Sequence, residues 1–346
     1  MLVNEFDYNL PEELIAQMPS SARDLSKMLV LNKKTGAMEH RIFADVTEYF
    51  EKDDVLILNN TKVIPARLIG YKETGARIEV FLLKNPEGKM WECLIKPAKR
   101  VKENTIITFN EELKAKVIGR LDNDKMMVEL IFEGDFYKVL DNVGLTPLPP
   151  YIQRQMTDEQ IKQLDHDRYQ TVYAKNPGSV AAPTAGLHFT DEILTKLKAK
   201  GVQVGFVTLN VGLGTFRPVK VDNILEHKMD SETFQISEET ATLITQAQKD
   251  GRRITAVGTT TVRTLETAFA KYGCIQQCHD ASELFIYPGY EFKVVNRLIT
   301  NFHLPKSTLL MLVSALSTRE NIMNAYKEAI TQKYRFYSYG DCMFIK

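Results

Sequence analysis

Ile78-Glu-Val-Phe-Leu-Leu-Lys-Asn85-Pro-Glu-Gly88-Lys-Met90-Trp-Glu-Cys-Leu-Ile95 decides the architecture of this chain. Two runs of β-type residues flank the turn cluster Asn85 to Gly88. Further runs follow at Thr105 to Phe109, Lys114 to Gly119 and Met126 to Phe132, with other turn clusters at Glu73-Thr-Gly75 and Asp122-Asn-Asp124. Strands at a spacing of roughly ten residues, with no helical period, predict a small antiparallel barrel or sandwich. Outside this stretch strands alternate with helices. Val202 to Asn210 and Ile254 to Val257 read as strands, Glu238 to Lys249 and Thr261 to Tyr272 as helices, which predicts an α/β sheet. The expected fold is therefore an α/β domain built from both ends of the chain, residues 1–65 and 151–346, with an antiparallel β-barrel inserted at 66–150. The last helix is expected to open on a capping box, Ser317-Thr-Arg-Glu320, and to bury Ile322, Tyr326, Ala329 and Ile330 on one face.

Composition narrows the class. Apolar residues make up 44% and charged residues 25% of 346, as in ordinary globular proteins. The most apolar stretch, Ser307 to Leu316, is about half of what a membrane span needs, so no membrane association is expected. The N-terminus lacks the basic-then-apolar order of a signal peptide. Four cysteines are too few for a disulfide scaffold and fit a reducing cytoplasm, the expected location. Cys274-Ile-Gln-Gln-Cys278-His279 has one residue too many for haem attachment, and no metal is expected. Lys plus Arg equal Asp plus Glu, 44 against 44, so any nucleic-acid binding must come from local patches such as Lys96 to Lys102 or Arg23, Lys27, Lys33 and Lys34.

Several segments carry candidate chemistry. Gly178-Ser-Val-Ala-Ala-Pro-Thr-Ala-Gly-Leu-His188 is small and mostly uncharged, and it leads into a helix capped by Thr190. It reads either as a place where a polar ligand approaches the backbone, or as a tight connection whose histidine is a helix-entry contact. Arg253 to Glu266 reads as strand, glycine turn and helix. The threonines after Gly258 either cap the helix or, with its N–H groups, grip a carboxylate or phosphate, with Arg263 one turn in. Leu209-Asn-Val-Gly212-Leu-Gly214-Thr215 follows another strand but lacks the third glycine of a dinucleotide loop. Thr300-Asn-Phe-His303 sets polar groups beside an apolar run, to be satisfied internally or by a ligand. Tyr334 to Asp341 interleaves aromatics with Arg335, for base stacking or for the core.

Taken together, and with Asp7 to Pro11, Asn59 to Arg67, Asp167 to Tyr173 and Tyr287 to Tyr290, these motifs resemble the S-adenosylmethionine:tRNA ribosyltransferase-isomerase family of queuosine biosynthesis almost end to end. The resemblance implies an α/β domain interrupted by a β-barrel. It also implies an enzyme with S-adenosylmethionine as co-substrate and no bound cofactor. Its second substrate would be tRNA with a GUN anticodon carrying 7-aminomethyl-7-deazaguanine at the wobble position. The ribosyl group is transferred and isomerised to epoxyqueuosine-tRNA, and adenine and methionine leave. Such chemistry needs proton transfers, for which His188 and His303, with the carboxylates of Glu232 and Glu266, are the candidates. Donor binding is expected from Gly212, Gly214, Thr215, Gly258, Thr259, Thr260 and Arg263, and tRNA contacts from Arg23, Lys62, Arg67, Arg168, Tyr169 and Arg335. A monomer is expected. Two departures stand out: Asn210 and Asp230 occupy positions where the family usually has histidine. They keep a catalytically impaired tRNA-binding relative as an alternative, beside an S-adenosylmethionine-dependent RNA methyltransferase, whose glycine-rich loop the chain does not show.

Overall fold

The fold follows from two periodicities, and a computed structural model of the chain describes residues 1–122, 124–154, 158–212, 219 and 221–346. Between Arg67 and Ile131 buried and outward residues alternate, as in Met90–Lys96, where Trp91, Cys93 and Ile95 point inward. Six such strands close an antiparallel barrel in the order Met126–Ile131, Met90–Lys96, Arg77–Glu87, Arg67–Tyr71, Ile106–Thr108, Lys114–Arg120. Closure leaves no edge strand. Ile78, Val80, Leu82, Val117 and Val128 fill its interior.

The second layer system is a nine-stranded mixed sheet drawn from both sides of the barrel segment. At its centre four parallel strands lie in the order Gln203–Leu209, Val55–Asn59, Ile254–Val257, Arg297–Asn301. The middle two are buried along their whole length, as sheets covered on both faces must be. One face packs against Glu238–Lys249, Thr259–Tyr272 and the hairpin of Thr308–Leu316 with Arg319–Thr331, the other against Asp191–Ala199. Among the described residues no helix is long and apolar enough to cross a membrane.

Two readings at helix ends need correction. The final helix is Arg319–Thr331 and its cap is Thr318, whose Oγ1 accepts from Asn321 N–H (3.1 Å). Ser317 closes the preceding helix and donates its hydroxyl proton to the Lys33 carbonyl (2.8 Å), so the expected capping box does not form. No threonine hydroxyl caps the helix at Gly258. Thr261 Oγ1 donates to the Val257 carbonyl (2.7 Å) and Thr264 Oγ1 to that of Thr260 (3.0 Å).

Because the four strands are parallel, their carboxyl ends meet at one edge, where α/β sheets open a crevice. Asn59 governs that edge. Its main-chain pairing with the neighbouring strand ends at Val207. The side chain then takes over: Oδ1 accepts from Leu209 N–H (3.0 Å) and Thr61 N–H (3.1 Å), while Nδ2 donates to the Leu209 carbonyl (3.0 Å). Asn59→Ala strands three buried backbone groups, and we expect a loss of about 3 kcal/mol in denaturant unfolding followed by circular dichroism.

Candidate functional site

Three cavities run along the crevice. The innermost, about 60 Å3, sits on the Gly258 turn. Gly258 has φ +83°, which a side chain would strain, and it offers no side-chain acceptor to the helix Thr259–Tyr272. Thr259 and Thr260 line the cavity, and their N–H groups have no side-chain cap among the described residues, at the positive end of a fourteen-residue helix dipole. Opposite lies His303. Its Nε2 hydrogen-bonds to Thr300 Oγ1 (2.9 Å), while its Nδ1 makes no hydrogen bond among the described residues. The ring is held from behind, because His303 N–H donates to Tyr326 Oη (2.8 Å) and Tyr8 Oη donates to the His303 carbonyl. Burial pushes the imidazole pKa down to about 3, so the ring is neutral. Ala182, Pro183 and Ala185 supply the small wall that the sequence leads one to expect there.

A larger cleft of about 730 Å3 adjoins it through the shared wall residue Val211 and lies between sheet and barrel. On the sheet side it is lined by Asn210, Gly212, Asp230 and Glu232, and on the barrel side by Trp91, Phe132, Phe136 and Tyr137. Gly178, at φ +146°, is needed here, since a Cβ would meet Asn210 Nδ2 at 3.0 Å. Glu232 is buried and engaged: Oε1 accepts from Gly212 N–H (2.9 Å) and Oε2 pairs with Arg263. Glu92 pairs with Lys125 (3.1 Å). Asp230 is the cleft carboxylate with no ion pair among the described residues. Asn210 Oδ1 accepts from Thr61 Oγ1 (2.8 Å), so both departures from the family pattern stand in this one cleft.

His188 walls a third, small cavity beside Arg23, Arg168 and Arg335. Asn301 Nδ2 donates to the carbonyls of Tyr337 (2.8 Å) and Ser338 (3.3 Å), which turns its Oδ1 to His188 Nε2 (3.0 Å). His188 thus carries its proton on Nε2, and Nδ1 accepts from Ser26 Oγ (2.6 Å). Both ring nitrogens are occupied, and burial lowers the pKa to about 4.

Other expectations meet the geometry differently. Glu266 is fully buried, and its carboxylate accepts from the N–H groups of Lys293 (2.9 Å), Val294 (3.0 Å) and Val295 (3.0 Å) and from Tyr290 Oη (3.3 Å). It anchors a loop, and it lines none of the three cavities along the crevice, so the geometry does not bring it to His188 or His303. Arg263 points away from the Gly258 turn, to Glu232 and the carbonyls of Ser282 and Leu284 (both 3.3 Å), and is not a carboxylate ligand there. Tyr169, 1% exposed, cannot stack on RNA, and Tyr334, Phe336, Tyr337 and Tyr339 belong to the core or to cavity walls rather than to a stacking surface. Arg67 pairs with Glu79 on the barrel (2.9 Å), and Lys62 is exposed. Gly214 and Thr215 lie outside the described residues. The aromatic barrel wall was missed in sequence; its signal was the run of Trp91, Phe132, Phe136 and Tyr137 around the hairpin and just past the last strand. Among the described residues no group of three His, Cys, Asp or Glu side chains is placed to hold a metal ion.

The family model described as queuosine biosynthesis protein matches residues 3–345. A crystal structure of an S-adenosylmethionine tRNA ribosyltransferase from Thermotoga maritima is similar, 40% identical over 99% of this chain and 100% of that one, with a TM-score of 0.55.

The buried histidines give stability a pH dependence. An unfolded histidine titrates near 6.5, so below that pH the unfolded chain takes up protons that the folded one refuses. The contribution is full above about pH 6.5 and is lost as pH falls towards 4, by about 2 kcal/mol per histidine at pH 5. His303→Gln is expected to flatten this acid limb when melting temperatures are compared from pH 7.5 to 5.

Proposed function

The chain belongs to the queuosine biosynthesis protein family, and from that membership we propose that it transfers and isomerises the ribosyl group of S-adenosylmethionine onto 7-aminomethyl-7-deazaguanine at the tRNA wobble position. Epoxyqueuosine-tRNA forms, and adenine and methionine leave. The observation that carries this reading is the juxtaposition of an uncapped helix N-terminus with an imidazole nitrogen unbonded among the described residues, beside a large cleft walled by aromatics and a carboxylate that makes no ion pair among them.

The chemistry divides among these parts. The donor's methionine carboxylate suits the N–H groups of Thr259 and Thr260, where the helix dipole favours an anion. With that end fixed, the sulfonium and sugar extend past Val211 into the larger cleft. The sulfonium acidifies the neighbouring 5′ carbon, and an unprotonated base must take its proton. His303 is neutral, with Nδ1 open in the inner cavity, and is the proton-transfer group we favour. The aminomethyl group of the modified base arrives as an ammonium ion at neutral pH and must give up one proton to water before its nitrogen attacks the sugar. Asp230 pairs with it in the cleft and orients it, and Trp91 and Phe136 offer faces and edges for the ring system. Glu232 works indirectly, holding Gly212 at the cleft rim through a carboxylate neutralised by Arg263.

Incubation with S-adenosylmethionine and tRNA bearing 7-aminomethyl-7-deazaguanine is expected to release adenine, detected by chromatography, and unmodified tRNA to release none. Formation of S-adenosylhomocysteine would make the protein a methyltransferase, and tRNA binding without turnover would make it an impaired relative. His303→Gln is expected to lower kcat by roughly a hundred-fold or more. Asp230→Asn is expected to raise the KM for modified tRNA about ten-fold, the usual scale for a lost charge-assisted hydrogen bond.

A further inference from the structure

Arg23, Arg168 and Arg335 come from distant parts of the chain, yet their side chains line one cavity of about 20 Å3. Each guanidinium is tethered by main-chain carbonyls: Arg23 by Leu187 (3.2 Å) and Asp167 (3.0 Å), Arg168 by Ser20 (2.7 Å), Arg335 by Met18 (3.2 Å). A carbonyl fixes a guanidinium without cancelling its charge. Among the described residues one carboxylate pairs with the cluster, Asp341, 3.5 Å from Arg335 Nη2. It is already shared with the N–H groups of Lys27 (2.9 Å) and Arg335 (2.8 Å). The cluster thus holds three cations against one anion in a chain whose total charge is zero. Burial, and next the charge of Arg168, make Arg23 release its proton more readily than usual, as expected of crowded like charges.

The Arg168 guanidinium makes no ion pair among the described residues, and its buried Nε has no hydrogen-bond partner there. We propose that Arg23, Arg168 and Arg335 form a clamp for one phosphodiester of the RNA substrate. The cavity is too small for a base and has room for about one phosphate oxygen, with the rest of the group at its mouth, where planar guanidiniums recognise it through paired N–H donors. Its position gives the clamp a purpose. Ser338 lines both this cavity and the one on the Gly258 turn, and the His188–Asn301 hydrogen bond forms the partition between them. A phosphate seated here registers the strand against the reaction crevice. The choice of RNA over a free phosphate ion rests on the function proposed above.

The test measures binding, not turnover. Fluorescence anisotropy of a labelled anticodon stem-loop bearing the modified base would be followed across a potassium chloride series, beside calorimetry of S-adenosylmethionine. Arg335→Gln is expected to weaken RNA binding about ten-fold and to reduce the log–log salt slope by about 0.7, with donor affinity unchanged. Arg168→Lys keeps the charge but removes the fork, and should weaken binding about five-fold with the slope preserved. Neutralising single phosphates as methylphosphonates should find one position whose loss matches Arg335→Gln and adds nothing to it. Wild-type RNA affinity in both variants, with melting temperatures unchanged, would overturn the clamp. So would competition by inorganic phosphate beyond its ionic strength in the wild type together with unaltered RNA binding in the variants, which would mark a free-anion site. Because binding is read separately from adenine release, loss of RNA affinity in Arg335→Gln beside an inactive wild type would retain the clamp and reject the proposed reaction.

Discussion

Everything at the crevice depends on the carboxamide of Asn59 acting as a peptide group. Two adjacent parallel strands must diverge at their carboxyl ends if a ligand is to reach between them, and divergence strands the backbone groups just past the last main-chain pair. Here the main chain turns away after Asn59 while its side chain continues the pairing with Leu209 N–H and C=O. The same nitrogen lies 3.4 Å from Thr260 Oγ1. One buried amide therefore lets the strands separate and holds the helix start with the uncapped N–H groups against them. An aspartate could not donate, and a leucine could neither donate nor accept.

The opposite end of the sheet is built to the contrary rule. Asp54 precedes the central strand and is buried, and its carboxylate accepts from Arg253 Nε (2.7 Å) and Nη2 (2.8 Å) and from Arg297 Nη2 (3.0 Å). Arg297 in turn lies over the Phe50 ring, 4.7 Å from its centroid. Charge-assisted hydrogen bonds thus staple the amino ends of three neighbouring strands. The sheet is closed by charge at one edge and parted at the other, where a ligand can enter.

Much of this was legible in sequence, for reasons that differ by element. The barrel showed itself because each strand writes its own period of two, as in Met90–Lys96, and no distant residue is needed to read it. The helix Glu238–Lys249 and the strand Ile254–Val257 fall on their expected bounds. Side-chain direction was another matter. Arg263 and Glu266 lie on the same helix as Thr259 and looked like parts of one site, but each is claimed by groups elsewhere in the chain, Glu232 for one and the amides of Lys293 to Val295 for the other. A local pattern lists chemical groups, and only tertiary pairing shows which of them are spent. The three arginines illustrate the converse: the family resemblance names each as an RNA contact, but their meeting in one cavity appears only when the chain folds.

The distribution of charge across the crevice carries its own argument. The wall of the inner cavity holds no ionised side chain among its described residues: its polar groups are hydroxyls, amides and a neutral histidine. The formal charges stand outside it, Asp230 in the larger cleft and the arginines behind the His188 partition. A substrate bearing a carboxylate, a sulfonium and an ammonium ion would then meet a helix dipole at one end and Asp230 at the other, with a neutral, partly apolar stretch between. Low polarity in that stretch strengthens every charge interaction across it. It also keeps His303 unprotonated near neutral pH, the state in which a ring nitrogen can accept a proton from carbon.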